Sequence, residues 1–466
     1  MAAGAVRAGT APGRAGRRRH LRLVKGRSSG IGVGIIGFGT IGTGTVRVLR
    51  DHREDVERRL GFPVRVVRIA DLDTRRDRGV RLAKGTLIKD ARKLIHDPAV
   101  DVVVELMGGV EPARAFLAEA IEAGKAVVTA NKALLSQHGP QLAGAAERRG
   151  VWLGFEASVG GGIPIVRVLR EALAGDTNRE VYGIVNGTAN FILSEMSKGE
   201  AAFDDVLAEA QRMGLAEADP TYDVDGIDTL HKLVILAALA FGKKIRPKAV
   251  HVEGIRSISP VDIAYAREFG YTIKLLAVAR DTPDGVEARV HPSMVPNTHL
   301  LSQVSGPFNA ICLRGRALGT SIYYGQGAGM MPTATAVVAD VIDAARAISG
   351  AEARPIPPYG NAARDLRAAS VVTMGETTHE YYIRFLLADK PGVMARISSI
   401  LGREGISLAT VSQREETRRG AVPVVMRTHR AEERRLNRAL SSIARLRDSR
   451  ARPVVIRVEE TLGEEA

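Results

Sequence analysis

The chain has 466 residues, of which 45% are hydrophobic and 25% charged, and its formal net charge is +14. This composition excludes a collagen-like or wholly disordered chain, and the length predicts roughly three globular domains. The single cysteine, Cys312, excludes an intrachain disulfide and favours the reducing cytoplasm as the compartment. No apolar run reaches the ~20 residues that a membrane span requires, so no membrane partner is expected.

Much of the positive charge lies in residues 1–30, which contain eight Lys or Arg residues and no Asp or Glu. The segment is rich in Ala, Gly and Arg without hydrophobic periodicity, so we predict a disordered basic leader. It could be a transit-type presequence, a nucleic-acid-binding arm or an inert leader, and its presence in the mature chain is open. We favour the inert leader and expect no nucleic-acid partner.

Strands and helices alternate from residue 31 to about residue 150. The predicted elements are the strands Gly32–Gly37, Val64–Ala70, Val100–Leu106 and Ala126–Thr129 and the helices Thr43–Leu60 and Pro112–Ala123. This alternation predicts an α/β fold with a Rossmann-type, doubly wound parallel sheet for residues 31–150.

Residues 151–350 mix short strands with long helices and predict an α+β domain. Its clearest elements are the strands Val181–Asn186 and Lys274–Ala279 and the helices Ala201–Met213 and Asp228–Phe241. Residues 351–379 contain PIPPYGNAARD and are predicted to be a linker. Residues 380–460 form a last module, which opens with the strand Tyr381–Leu386.

A glycine motif follows the first predicted strand. Gly37, Gly39 and Gly42 form a GxGxxG pattern, in which the glycines permit a tight turn, the approach of a pyrophosphate and close packing of helix on strand. The pyrophosphate would lie on the free N–H groups at the start of the helix. A plain glycine turn is the alternative. The predicted NAD or NADP site includes Gly37, Phe38, Gly39, Thr40, Ile41 and Gly42.

Asp71 ends the second predicted strand, where a carboxylate can accept hydrogen bonds from the ribose hydroxyls and favour NAD. Arg75 and Arg76 follow closely and could instead hold the 2′-phosphate of NADP. Each arginine is equally well explained as a solvated loop charge. The sequence therefore leaves the choice between NAD and NADP open.

Five acidic residues lie within twelve positions in the segment GLAEADPTYDVDGIDTLHK, which ends at Lys232. Pro220 and Gly226 predict a loop, and Asp228 is expected to begin the following helix. Asp228 and Lys232 are then i,i+4 neighbours on one helical face, in the favourable order. By itself this spacing is most simply a surface ion pair. A divalent-metal loop is disfavoured because the acids lack the EF-hand spacing.

Four segments in the same order resemble the homoserine dehydrogenase family, and the resemblance covers residues 31–350. They are VVTANKALL (Val127–Leu135), FEASVGGGIPIV (Phe155–Val166), VNGTANFIL (Val185–Leu193) and the acidic segment Gly214–Lys232. The resemblance implies a substrate-binding and dimerisation domain after the Rossmann domain. It also implies NAD(P)-dependent interconversion of L-homoserine and L-aspartate 4-semialdehyde, in threonine, methionine and isoleucine biosynthesis. Ala189 stands where the family often has Thr.

The resemblance assigns roles to individual residues. Lys232 would donate or accept the proton at the substrate oxygen, and Asp228 would orient it. Glu217 would bind the substrate ammonium, and Lys132 would lie beside the nicotinamide and the substrate. Further implied cofactor contacts are Thr129, Gly214 and Gly327. A monovalent cation, Na+ or K+, would be held by Glu156 and the backbone carbonyls of Val159, Gly161 and Ile163.

The run DKPGVMARISSILGREGIS (Asp389–Ser407) resembles the ACT domain, a ferredoxin-like regulatory module that pairs to bind amino acids. The implied effector is L-threonine acting by feedback inhibition, and the implied oligomer is a homodimer or homotetramer. A turn followed by an amphipathic helix without a ligand is the alternative. The implied effector contacts are Asp389, Pro391, Gly392, Gly405 and Ile406. The basic stretch Arg427–Arg452 is predicted to be a solvated helical face.

Two other functions compete with this interpretation. The chain could be a different amino-acid oxidoreductase with an ACT tail, although no cysteine lies near a plausible catalytic position for a thiol-dependent aldehyde dehydrogenase. It could also be a catalytically silent sensor that binds a nucleotide and an amino acid. The presence of Glu217, Asp228 and Lys232 together disfavours the silent sensor.

Overall fold

The structure is a computed structural model that describes residues 30–199, 201–350, 356–413, 421–460 and 462. The predicted basic leader therefore lies outside the described residues, except for Gly30. Among the helices that are described, none is long and apolar enough to cross a membrane.

The first domain is built on a parallel sheet of six strands in the order β3-β2-β1-β4-β5-β6. The strands are β1 (Ile31–Ile36), β2 (Val64–Ala70), β3 (Leu87–Ile88), β4 (Val102–Glu105), β5 (Ala126–Thr129) and β6 (Leu153–Gly154). The helices between them are α1 (Thr40–Asp51), α2 (Arg53–Leu60), α3 (Ala91–Ile95), α4 (Ala113–Glu122) and α5 (Lys132–Arg149). All six residues of β1 are buried, because helices cover both faces of a parallel sheet. The predicted Rossmann-type sheet is confirmed, and its strand order reverses between β1 and β4, where such sheets bind ligands.

The single helix predicted over Thr43–Leu60 is wrong in one respect, because the structure divides it. The backbone of His52 has φ −106° and ψ 21°, which lies outside the helical region and ends α1. The first helix also begins three residues earlier than predicted, at Thr40, directly after the glycine turn.

The second domain is α+β, as predicted. Its strands are β7 (Asn178–Ile184), β8 (Lys243–Lys244), β9 (His251–Val252), β10 (Tyr271–Thr282), β11 (Gly285–Pro296), β12 (Phe308–Gly315) and β13 (Gly319–Gln326). Its helices are α6 (Ile165–Arg167), α7 (Gly187–Lys198), α8 (Phe203–Arg212), α9 (Thr221–Val224), α10 (Ile227–Phe241), α11 (Pro260–Glu268) and α12 (Met330–Ser349). The last of these, α12, returns to the first domain and packs against α1.

The C-terminal module has the β-α-β-β-α-β order of a ferredoxin-like fold. After the short strand β14 (Arg367–Ala368), it comprises β15 (Thr378–Ala388), α13 (Val393–Arg403), β16 (Leu408–Gln413), β17 (Ala421–Thr428), β18 (Ala431–Glu432), α14 (Glu433–Ala444) and β19 (Val454–Val458). Its sheet order is β19-β15-β17-β16, and β19 also pairs in parallel with β11 of the second domain. The module therefore extends the sheet of the second domain into one of eleven strands.

The stretch predicted as a linker contacts the second domain where it is described, from residue 356 onward. The ring of Tyr359 lies 5.0 Å from that of Phe155, centroid to centroid. Downstream, β14 pairs with β8, and Val371 forms a bridge with Val286. These contacts fix the entry to the C-terminal module.

Candidate active site

The glycine turn after β1 has the shape that a dinucleotide phosphate requires. Gly37 has φ +97°, and a Cβ there would lie 2.7 Å from the carbonyl oxygen of Leu106. A Cβ on Gly42 would lie 2.2 Å from the carbonyl oxygen of Gly37, so the helix packs too closely for any side chain. A Cβ on Gly39 would meet nothing within 4 Å. The turn is thus open at its middle glycine, on the side where a phosphate can approach.

The first turn of α1 leaves backbone N–H groups free for an anion. Its N-cap, Gly39, has no side chain to accept a hydrogen bond from them, and both Gly39 and Thr40 are exposed. The positive end of this 12-residue helix therefore faces the open turn. The residues present fit a dinucleotide, although Phe38 is buried and its N–H and carbonyl are taken by Asp71 and Arg78.

Asp71 lies beside the glycine turn, but an arginine that the sequence analysis missed accompanies it. Its Oδ2 accepts a hydrogen bond from the N–H of Phe38 at 2.6 Å, and its Oδ1 is 3.3 Å from the guanidinium of Arg78. The guanidinium of Arg78 also stacks on the Phe38 ring, 4.9 Å from its centroid. By contrast, Arg75 and Arg76 are exposed and only their backbone N–H groups bond to a neighbouring aspartate.

The segment around Gly327, a predicted cofactor contact, leads back to the first domain. A Cβ on Gly161 would lie 2.5 Å from the carbonyl oxygen of Gly327, so the two glycine turns touch. Three residues later α12 begins, and a Cβ on Gly44 of α1 would lie 2.8 Å from Cγ of Met330. The chain is thereby led back onto the helix that follows the glycine turn.

The other two implied cofactor contacts differ in setting. Thr129 is fully buried at the end of β5, where its hydroxyl donates to Glu105 at 2.5 Å and accepts from the N–H of Asn131 at 3.0 Å. These bonds shape the turn that begins α5 at Lys132. Gly214 is exposed, with φ +71°, two residues beyond the end of α8.

The predicted catalytic pair is a buried ion pair at the start of α10. The ammonium of Lys232 donates to Oδ2 of Asp228 at 2.6 Å and to the carbonyl oxygen of Val185 at 2.6 Å. The ammonium of Lys132, at the start of α5, lies 3.2 Å from Oδ1 of the same aspartate. Asn186 donates to Asp228 at 3.0 Å. Three separate segments therefore converge on one carboxylate, and a solvated surface pair is excluded.

Sequence reasoning missed the residues that surround this pair. Asn186 uses the same amide nitrogen to donate to Asp223 at 2.8 Å, which brings a second carboxylate into the cluster. The ring of Tyr222 lies 5.9 Å from the ammonium of Lys132 and 5.8 Å from the ring of His231. The hydroxyl of Ser136, on α5, is 2.6 Å from Nδ1 of His231. Asp223 was visible only as one of five acids in the segment.

The cluster shifts the pKa values of its two carboxyl groups, Asp228 and Asp223, in opposite directions. Burial opposes ionisation of Asp228, but the ammonium groups of Lys232 and Lys132 outweigh it and lower its pKa to about 2. Burial raises the pKa of Asp223, and the neighbouring Asp228 adds to that effect. Burial and both carboxylates raise the pKa of Tyr222 to about 12, so its hydroxyl stays protonated. Two lysines thus face one firmly ionised aspartate.

Glu217 is not part of this cluster. It is exposed on the loop after α8, and its carboxylate makes no hydrogen bond or ion pair with any residue in the described ranges. The side-chain amide of Gln211 holds the Glu217 carbonyl at 3.0 Å. Glu217, the predicted ligand of the substrate ammonium, is therefore held through its backbone carbonyl, while its carboxylate stays exposed.

The residues predicted to hold a monovalent cation are engaged in the protein's own hydrogen bonds. The two carboxylate oxygens of Glu156 accept from the N–H groups of Val166 and Arg167, at 2.9 and 2.8 Å. The carbonyl oxygen of Ile163 accepts from the N–H of Ile165 at 2.7 Å. Each of these oxygens keeps a lone pair beyond its one hydrogen bond, and Glu156, Gly161 and Ile163 line a cavity, so the peptide can still offer oxygens to an ion.

No other metal centre emerges, since the described residues contain no group of three or more His, Cys, Asp or Glu side chains placed to hold an ion.

The predicted effector residues do not meet within one chain. Asp389, Pro391 and Gly392 form an exposed loop before α13, and Gly392 has φ +81°. Gly405 and Ile406 follow the other end of that 11-residue helix, about 16 Å away at ~1.5 Å per residue. Ile406 is buried in the core of the module. A pocket framed by all five residues would need a second copy of the module.

Three family models match successive parts of the chain. A model described as homoserine dehydrogenase, NAD binding domain, matches residues 37–156, and one described as homoserine dehydrogenase matches residues 164–342. A model described as ACT domain matches residues 381–448. Together they cover the glycine turn, the buried ion pair and the C-terminal module.

Known relatives extend this similarity over nearly the whole chain. The homoserine dehydrogenase of Neisseria gonorrhoeae is 42% identical over 430 residues, which are 92% of this chain and 98% of that protein. A crystal structure of a homoserine dehydrogenase from Thiobacillus denitrificans is 42% identical and has a TM-score of 0.85, covering 92% of this chain and 98% of that one. A hyperthermophilic archaeal homoserine dehydrogenase, solved in complex with NADPH, is 26% identical, with a TM-score of 0.59 over 67% of this chain and 97% of its own.

Proposed function

The chain belongs to the homoserine dehydrogenase family and is an NAD(P)-dependent oxidoreductase, and on that premise we propose that Lys232 transfers the proton in the interconversion of L-homoserine and L-aspartate 4-semialdehyde. The observation that carries the proposal is the geometry of this ammonium group. Asp228 and the carbonyl of Val185 each accept one of its hydrogens at 2.6 Å, which leaves a third hydrogen for a substrate oxygen.

The nicotinamide, when bound, supplies the hydride for the reduction and accepts it in the oxidation. In the reducing direction the oxygen of the aldehyde gains negative charge, which the ammonium of Lys232 neutralises by donating a proton. In the oxidising direction the neutral amine takes the proton of the hydroxyl group. Asp228 stays ionised in both directions and fixes the nitrogen, so it is a positioning residue for Lys232.

Lys132 adds a second positive charge beside the same carboxylate. Its ammonium is 3.2 Å from Asp228, and its side chain is about one-third exposed, at 35%. It therefore faces the open side of the cluster, where it can bind a substrate carboxylate or the developing alkoxide. We propose that Glu217 approaches the substrate ammonium from the exposed loop after α8. A Na+ or K+ ion would be held by Glu156 and the carbonyls of Val159, Gly161 and Ile163, and it would take part in no step of the proton transfer.

We propose that the C-terminal module binds L-threonine and inhibits the enzyme, which would place the reaction in threonine, methionine and isoleucine biosynthesis in the cytoplasm. The module has the predicted ferredoxin-like order, and β16 is the last strand at its end of the sheet in the part of the chain that the structure describes. Its side chains are alternately exposed, and Val411 is 47% exposed. Such an open edge favours pairing with a second copy, which would bring the two ends of α13 together as a homodimer or homotetramer forms.

The test is homoserine-dependent reduction of NAD+ and of NADP+ by the purified protein, with and without L-threonine. We expect turnover with at least one cofactor and suppression by threonine. Turnover that threonine does not affect would reject threonine as the effector but leave the catalytic assignment standing. Absence of turnover with both cofactors would favour the silent sensor or a different substrate.

A further inference from the structure

A buried arginine of the C-terminal module connects the module to the second domain. Arg457, on β19, has a side chain that is only 3% exposed. Within the module its guanidinium donates to Glu433, with Nε to Oε2 at 3.0 Å. Toward the second domain it donates to both carboxylate oxygens of Glu253, at 3.0 and 2.9 Å. This bidentate geometry fixes the relative orientation of the two side chains as well as the distance between them.

The segment that carries Glu253 lies directly against residues 223–226, the short loop that includes the end of α9 and precedes the catalytic helix α10. The N–H of Ile255 donates to the carbonyl oxygen of Val224 at 2.9 Å. A Cβ on Gly254 would lie 2.4 Å from the same oxygen, so the two backbones are in close contact. Nearby, Arg256 pairs with Asp225 at 2.6 Å. A displacement of Glu253 must therefore move this loop or break these contacts.

The loop in question leads straight into the buried ion pair. Asp223 lies at one end of it and shares the amide of Asn186 with Asp228. At the other end Gly226 adopts φ +81°, and a Cβ there would lie 3.5 Å from the carbonyl oxygen of Glu253. The helix α10 begins at the next residue and presents Asp228 and Lys232 on one face. The N-terminal turn of this helix therefore depends on the position of residues 223–226.

From these contacts we propose that Glu253 is a positioning residue for the loop of residues 223–226, and that Arg457 couples Glu253 to the C-terminal module. The coupling rests on the proposed function, since it gives a route for the proposed inhibition. With Arg457 paired to Glu253, the loop holds Asp223 and the first turn of α10, which carries Asp228, in place. An effector that binds the module more tightly when this pair is broken shifts the loop and lowers activity.

The test compares the wild-type enzyme with Glu253→Gln, which keeps the size of the side chain but removes its charge. The half-inhibitory concentration of L-threonine is measured in the homoserine assay, and the threonine Kd is measured by calorimetry with and without saturating homoserine and cofactor. Coupling is reciprocal, so homoserine should weaken threonine binding to the wild type by a factor of about 5–150. In E253Q that factor should fall toward one, and threonine should cause less further inhibition than it does in the wild type.

The same variant has a kinetic readout that a purely structural role would not give. Because E253Q weakens the pair even without effector, its activity should already fall toward that of the threonine-inhibited wild type, with a raised KM for homoserine, although Lys232 and Asp228 are intact. Arg457→Lys is the second variant, since it keeps the charge but loses the bidentate geometry. Thermal unfolding of both variants verifies that the fold is intact.

Arg384→Met is the matched control. Arg384, also in the module, pairs with buried Asp262 of the second domain at 2.7 Å, so this variant removes a comparable ion pair that leads to α11 instead of the loop of residues 223–226. R384M should keep the reciprocal coupling. Full coupling in E253Q, or equal loss in E253Q and R384M, would overturn the relay while leaving the enzyme assignment untouched. A wild type that oxidises homoserine but ignores threonine would reject the proposed inhibition and the relay together.

Discussion

Replacing Lys232 with methionine tests the proposed proton transfer directly. Methionine preserves the length and bulk of the side chain but removes the nitrogen that contacts Asp228 and Val185, each at 2.6 Å. A positioned general acid or base typically contributes about 10²–10⁴ in rate, so kcat should fall by that factor, equivalent to about 2.7–5.5 kcal/mol of barrier. Cofactor affinity should be nearly unchanged, because the glycine turn lies on another domain.

The substitution should be tolerated by the fold. Removing one partner of a buried ion pair often costs about 3–5 kcal/mol, because the other charge is left uncompensated. Here Asp228 keeps Lys132 at 3.2 Å and the amide of Asn186 at 3.0 Å, so the loss of unfolding free energy should lie below that range. Urea unfolding measures it.

The assay follows reduced nicotinamide formed from saturating homoserine, and cofactor Kd is measured separately by fluorescence titration. The control is Lys243→Met, which removes the ammonium from another lysine–aspartate pair, with Asp281, outside the site. Because Lys243 lies outside the site, this substitution should change kcat by less than about twofold, or ~0.4 kcal/mol of barrier. A folded K232M enzyme that retains more than a tenth of the wild-type kcat would refute the assignment of Lys232.

Two further predictions concern buried or paired carboxylates. Asp71→Asn should raise the ratio of kcat/KM with NADP+ to that with NAD+ by at least about tenfold, as a charge facing the 2′-phosphate is lost; an unchanged ratio would mean that Arg78 already neutralises Asp71. Burial raises the pKa of Asp340 to about 8, far above its unfolded value of about 3.9. Its contribution to stability is therefore full below pH ~4 and is lost as pH rises through 8, by about 1.4 kcal/mol per pH unit between the two values. Asp340→Asn should remove this slope in urea unfolding at pH 5 to 8, and parallel curves for both proteins would contradict it.

The parts of the site that could be predicted from the sequence are those that depend on local spacing. The GxGxxG turn needs glycine at Gly37 and Gly42 because a Cβ at either would clash with backbone nearby, and this requirement is visible in three glycines at fixed intervals. Asp228 and Lys232 are four residues apart, so any helix through them places both on one face. Their catalytic role, in contrast, was inferred from the family resemblance, since the spacing by itself equally describes a surface pair.

The parts that could not be predicted depend on contacts between distant segments. The carbonyl of Val185 lies 47 residues from Lys232, and Glu253 lies 204 residues from Arg457. No local sequence pattern identifies such partners, because folding can bring any arginine or glutamate into contact with a residue that is distant in the sequence. Arg78 illustrates the point: the sequence shows several arginines after Asp71, and only the packing against Phe38 distinguishes the one that matters.

The loop of residues 223–226 is a suitable place for the proposed inhibition to act, because it lies next to the buried ion pair. The loop contacts Asn186 through one hydrogen bond, to Asp223, and its Val224 is buried, whereas most of α10 is embedded in the main core. Local opening of a loop costs less free energy than displacement of a packed helix. Asp228 follows Gly226 by two residues and contacts Lys232, Lys132 and Asn186, so a shift of the loop that reaches the first turn of α10 would disturb both lysines together. An effector of the proposed kind would therefore reduce turnover through the first turn of α10, without unfolding or displacing the rest of the helix.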